Sequence, residues 1–131
     1  LGSDPACLAD NAARLAGLGW IGKCALLINP DCGAAVRWNT VLTDAPLPTA
    51  PAPLEARCGD CRACMDVCPG HAASGRLWHD GMAREDFWDP WACVEGLKRV
   101  ATERGGTPTV CGICLANCPY TLAHLQRAGA A

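Results

Sequence analysis

The stretch "CGDCRACMDVCPG", residues 58–70, decides how this chain is read: four cysteines spaced C-x2-C-x2-C-x3-C and closed by Pro69. Three cysteines at successive three-residue steps wrap a loop around one face of a cubane, so Cys58, Cys61 and Cys64 can each reach a different iron. Cys68 lies just beyond, and Pro69 turns the chain away. Zinc is the competing reading. A C-x2-C pair does occur in zinc sites, but it is usually completed to a tetrahedron by a distant second pair. Four crowded cysteines followed by proline suit one tetrahedral ion poorly.

Further on, "CGICLANCP" (111–119) repeats the last three cysteines and the proline, with no cysteine three residues before Cys111. Cys93 is the cysteine that stands between the arrays. The first two-residue gap then reads as a loop running from Cys93 to Cys111. In two-cluster ferredoxin sites the fourth cysteine of an array ligates the other cluster. That exchange assigns Cys58, Cys61, Cys64 and Cys118 to one [4Fe-4S] cluster, and Cys68, Cys93, Cys111 and Cys114 to a second. Each cluster staples both arrays together, so cluster insertion is expected to be coupled to folding.

Cys7, Cys24 and Cys32 remain and read as small, partly buried packing residues. His71, His79 and His124 show no metal-type spacing and are expected on the surface or in loops. Trp78, Phe87, Trp88 and Trp91 lie between the arrays and are expected to shield the clusters from water. "GLGWIG" echoes a dinucleotide fingerprint but precedes a strand instead of following one, which rejects that reading.

The 131 residues suffice for one domain, or one domain with a flanking subdomain. Net charge is −2 with scattered Lys and Arg, which gives no electrostatic basis for tight nucleic-acid binding. Eleven cysteines admit a secreted disulfide scaffold or a metal protein. The odd count, the tight arrays and the lack of a secretory leader favour the metal protein in a reducing, cytoplasmic setting. No apolar run approaches a membrane span. The chain starts at Leu1, which suggests a fragment or a processed product.

Along the chain, residues 4–18 read as a helix capped by Asp4 or Ser3. Its apolar face would be Leu8, Ala12, Leu15 and Ala16, and Gly17 or Gly19 would end it. "GLGWIGK" is then a loop, and 25–29 and 35–44 are strand candidates able to pair as a hairpin. The Pro-rich stretch 45–53 is an extended connector. A helix is expected over "DPWACVEGLKRVATERG", with Asp89 as cap and Gly105 as stop, and a terminal helix begins at Pro119. The fold class is α+β: a small α/β front piece (1–45), a connector (46–57) and a double-cluster domain with helices and long loops (58–131).

The ordered series "AGLGWIGKCALLINPDCG", "VRWNTVLTDAPLP", "CGDCRACMDVCPG", Cys93 and "CGICLANCP" resembles the epoxyqueuosine reductase family over about residues 8–120. The corrinoid reductive dehalogenases share a more distant version. The resemblance implies a bacterial-ferredoxin-type domain with two [4Fe-4S] clusters that pass electrons to the cobalt of a base-off cobalamin. In epoxyqueuosine reductase itself, the substrate is a modified nucleoside of the tRNA anticodon loop. Three departures stand out. Almost nothing precedes "AGLGW", where the family carries its corrinoid-binding region, and the helical repeats that read tRNA do not follow. The family's acidic residue ahead of "AGLGW" has only Asp4 as a candidate, about one position out of register. Catalysis and tRNA binding by this chain alone are therefore not expected.

The reading is an electron-transfer module served by a redox donor protein and delivering to a corrinoid-bearing region or partner. The alternatives are a free-standing ferredoxin-type carrier, and a structural protein whose clusters only staple a fold. Gly17, Gly19, Trp20, Gly22 and Lys23 are the candidate docking surface for the cofactor: glycines allow close backbone approach, and Lys23 could meet a phosphate or carboxylate. A plainer reading makes "GLGWIGK" a helix-ending turn with a buried tryptophan.

Overall fold

A computed structural model describes residues 5–49, 52–107 and 109–129; for 5–8 it describes the backbone alone. Helix α1 spans Pro5–Leu15, so the caps expected at Ser3 and Asp4 lie outside the described residues. Of the two candidate stops it is Gly17 that ends the helix. Its φ of +71° turns the chain, and the Leu18 amide closes onto the Ala13 carbonyl at 3.0 Å. The expected apolar face is corrected: Ala12, Leu15 and Ala16 are exposed, while Ala13 and Arg14 point inward. The inward face is set by Arg14, whose guanidinium reaches Asp80 at 2.8 Å and lies over the Trp78 ring at 4.7 Å.

The sheet is also a correction. Strand β1 is Trp20–Ile21, inside the stretch expected to be loop, and it pairs antiparallel with β2, Leu27–Ile28. The tip of this hairpin is Gly22–Leu26, closed by Gly22 N to Leu26 O and Ala25 N to Gly22 O, both 2.9 Å. Residues 35–44 form no strand, and Val41 and Leu42 are 84% and 93% exposed. The cause lies just upstream. The Asn29 side-chain oxygen accepts from the amides of Asp31 and Cys32, making a tight turn that bridges Asn29 to Gly33. Beyond it, the Ala34 amide donates to Thr121 Oγ1 at 3.0 Å, which ties the chain to the terminal helix instead of returning it to the sheet.

The rear piece contains α2 (Ala63–Asp66), α3 (Arg84–Phe87), α4 (Pro90–Glu103), α5 (Ile113–Ala116) and α6 (Pro119–Arg127). The expected helices are α4 and α6; the three one-turn helices carry no periodicity long enough to read. Asp89 caps α4 as expected, accepting from the Trp91 and Ala92 amides at 2.9 and 3.0 Å. Asp89→Ala should cost about 1 kcal/mol of stability, read as an earlier denaturation midpoint with an unchanged m-value.

Front and rear share one core of Trp20, Cys24, Ile28, Ala34 and Cys118, against which Leu54, Cys58, Cys64, Cys114 and Tyr120 pack. Lys23, at the hairpin tip, donates to the Gly59 and Cys61 carbonyls at 2.6 and 3.1 Å. The Pro-rich stretch, irregular over its described residues, marks a change of composition across a continuous core. Among the described residues no helix is long and apolar enough to cross a membrane.

Candidate metal centre

The repeat in the sequence is a repeat in the backbone. In both arrays a one-turn helix carries the next-to-last cysteine, Cys64 on α2 and Cys114 on α5, and these two helices pack on each other. The last cysteine closes the same turn in each: Cys68 N to Met65 O and Cys118 N to Leu115 O, both 3.3 Å. Proline follows each time, and Pro119 opens α6 with Cys118 as its N-cap. The Cys68 sulfur also accepts from the Ala72 amide at 3.4 Å.

Cys68, Cys93, Cys111 and Cys114 line one cavity together with Cys24, Cys64, Pro69, Ala73 and Trp88. What brings the isolated Cys93 there is backbone packing. Helix α4 crosses the segment after Cys68 so closely that a Cβ on Gly96 would lie 2.4 Å from Gly70 N, and one on Gly70 would lie 2.1 Å from Ala92 O. The Arg99 guanidinium adds a hydrogen bond to the Pro69 carbonyl. Two glycines let helix and loop touch, and Cys93, in the first turn of α4, is delivered beside Cys68.

The thiols feel one another. Burial pushes the Cys93 thiol up, aided by the charges of Cys111 and Cys68. Burial also raises Cys114 to about 11, with the charges of Cys111, Cys68 and Cys64 adding to it. Thiols that disfavour each other's ionisation stay neutral on their own, and a positive centre such as the irons of a cluster would favour their thiolates. Of the other four, Cys118 is buried in the shared core, and Cys58 and Cys64 pack against it. A hydrogen bond with Cys24 lowers Cys64 to about 7 and raises Cys24, which burial raises further.

A tetrahedral zinc ion would draw its sulfurs to roughly 3.8 Å of one another, given its bond length. Among the described residues, no three Cys, His, Asp or Glu side chains gather to hold a single ion. The donor set fits a cluster on its chemistry: the soft sulfurs of six cysteines on one cavity with largely apolar walls.

Sequence reasoning placed Cys24 among the packing residues. The structure sets it on the same cavity as Cys64, Cys68 and Cys93, 6% exposed. Its position at a hairpin tip has no cysteine-spacing signal, so only the fold reveals it. The aromatic shield is narrower than expected. Trp88 lines the cavity and Phe87 is buried, but Trp91 is 78% exposed and Trp78 lies against Arg14. Among the docking candidates, Trp20 and Lys23 are buried, and the Lys23 ammonium is taken up by two backbone carbonyls. Gly19 and Gly22 are small because Ile28 lies against both. Trp20 and Ile21 also border a cleft with Arg14, Leu54, Trp78 and Asp80.

An α+β fold with a small antiparallel sheet and a cavity ringed by cysteines defines the class of the protein. Comparison with known proteins extends it. No family model matches. The chain is 47% identical over 122 residues to an epoxyqueuosine reductase of Synechococcus sp. (strain CC9605), covering 92% of this chain and 38% of that protein. It is 34% identical over 125 residues to the epoxyqueuosine reductase of Synechococcus sp. (strain RCC307), covering 94% and 38%. The solved structure of epoxyqueuosine reductase from Streptococcus thermophilus matches with a TM-score of 0.60 at 24% identity, over 88% of this chain and 30% of that one. These comparisons place the chain among the homologues of epoxyqueuosine reductase, spanning 38% of the length of those two curated relatives.

Proposed function

We propose that this chain is the iron–sulfur electron-transfer part of an epoxyqueuosine reductase-like oxidoreductase of the cobalamin-dependent type. Cys58, Cys61, Cys64 and Cys118 hold one [4Fe-4S] cluster, and Cys68, Cys93, Cys111 and Cys114 the other. The observation that carries this reading is the cavity in which Cys93 and Cys68 meet Cys111 and Cys114, from three separate segments of the chain. Homology to reductases over nearly the whole chain supports the redox direction. When bound, such clusters supply one-electron transfer at a potential set by hydrogen bonds, charge and exposure.

The remaining work belongs to the chain's own residues. Pro69, Ala73 and Trp88 wall the second site against water. Lys23 holds the loop of the first array at Gly59 and Cys61 and so fixes the front hairpin to it. That contact sets the first array against the front hairpin. The cleft bordered by Trp20, Ile21 and Arg14 is then the surface on which a corrinoid-bearing region or partner docks. In this role Gly17 ends α1 ahead of the hairpin, Gly19 and Gly22 let Ile28 close on it, and Trp20 forms the floor.

The test is anaerobic. The reconstituted chain is reduced, excess reductant is removed, and base-off cobalamin is added while cobalt reduction is followed optically. Electron transfer from clusters to cobalt is expected, slowed when the cleft is filled by Ile21→Trp. Transfer to a generic acceptor but never to cobalt would instead make the chain a ferredoxin-type carrier.

A further inference from the structure

Trp20 is 1% exposed, and its Nε1 has no hydrogen-bond partner among the described residues. Leaving such a donor unmet costs about 1–3 kcal/mol, and a buried tryptophan N–H usually finds an acceptor. The ring is otherwise well placed. Tyr120 meets it edge-on at 5.0 Å between centroids, and the Arg57 guanidinium lies 5.7 Å from its centre. The core it belongs to is rich in sulfur: Cys24 and Cys118 are members, and Cys58, Cys64 and Cys114 pack against it.

Cys24 stands four residues on, at the tip of the same hairpin. It too is buried, and it lines a cavity with Cys64, Cys68 and Cys93. It belongs to neither array. The hairpin thus brings an indole N–H and a thiol into the core shared with Cys118, against which Cys58 and Cys64 pack, and the Lys23 anchor fixes it there.

We propose that Trp20 and Cys24 donate hydrogen bonds to the sulfurs of the cluster held by Cys58, Cys61, Cys64 and Cys118, and so raise its reduction potential. The proposal rests on the cluster assignment above. Reduction adds negative charge to the cluster and its thiolates, and a donor aimed at those sulfurs stabilises the reduced form more than the oxidised one. Trp20 and Cys24 act as positioning residues that tune the ligands without binding iron.

The experiment uses the anaerobically reconstituted full chain as wild type, Trp20→Phe and Cys24→Ala. Iron and sulfide are counted first. Each cluster's midpoint potential is then titrated with EPR detection, and exchangeable-proton hyperfine couplings of the reduced clusters are recorded in H2O and D2O. Each variant should keep both clusters, lower one potential by about tenfold in the reduction equilibrium (about 59 mV for a one-electron couple) and lose one exchangeable coupling. Variants that keep both potentials and every coupling overturn the proposal alone. Wild type that takes up no iron and sulfide overturns the cluster assignment and this proposal with it. If Trp20→Phe fails to fold, wild type labelled with 15N at the indole nitrogens decides: a nitrogen coupling to the first cluster supports the proposal, and its absence overturns it.

Discussion

Replacing Cys93 by alanine should remove or degrade one cluster and leave the other intact, taking iron from about eight per chain to about four, or to about seven if a three-iron form survives. Cys24→Ala, by contrast, should leave the iron content unchanged. Both cysteines line the same cavity and both stand outside the C-x2-C arrays, so burial does not separate them. The backbone does. Cys93 sits in the first turn of α4 beside Cys68, and Cys111 and Cys68 act on it electrostatically. Cys24 instead sits at the hairpin tip, in the core with Trp20 and Cys118 against which Cys64 packs. Equal iron in the two variants, measured alongside sulfide, would show that Cys93 is not the displaced ligand.

A second large effect is expected from Gly96→Val, a residue that carries no chemistry. Its Cβ would fall 2.4 Å from Gly70 N and 2.6 Å from Gly70 Cα, both backbone, so helix α4 must lift away. Overpacking of this kind costs about 1–3 kcal/mol. Here the displaced helix also carries Cys93, so the second cluster should be lost while the first persists. Gly106→Ala, at a glycine with open space around it, is the control and should change neither stability nor iron content measurably. A Gly96→Val protein with both clusters and unaltered melting would show that the contact between α4 and Gly70 does not position Cys93.

The repeated turns that carry Cys64 and Cys114 were legible because cysteine spacing is local, and Pro69 and Pro119 mark where each turn ends. Helices α4 and α6 were legible for the same reason, through Asp89, Pro90 and Pro119. The front piece was harder to read. Trp20 and Ile21 lie in a glycine-rich stretch that looks like loop, and their pairing with Leu27 and Ile28 is two residues long, too short for alternation to register. Residues 35–44 have the composition of a strand but no partner, because the turn at Asn29–Gly33 and the Thr121 hydroxyl lead the chain elsewhere. Helix α1 turned its expected apolar face outward because Arg14 found both Asp80 and Trp78, tertiary partners more than sixty positions away. Lys23 reads from sequence as a docking-surface cation for a phosphate or carboxylate; its two carbonyl acceptors belong to a loop brought near only by the fold.

The central claim is that eight of the eleven cysteines hold two cubanes. The most direct test is iron and acid-labile sulfide analysis with Mössbauer spectroscopy on anaerobically reconstituted protein. About eight iron and eight sulfide per chain, all in [4Fe-4S] signals, is the predicted result. A fully folded protein that holds only zinc and resists iron loading would contradict it.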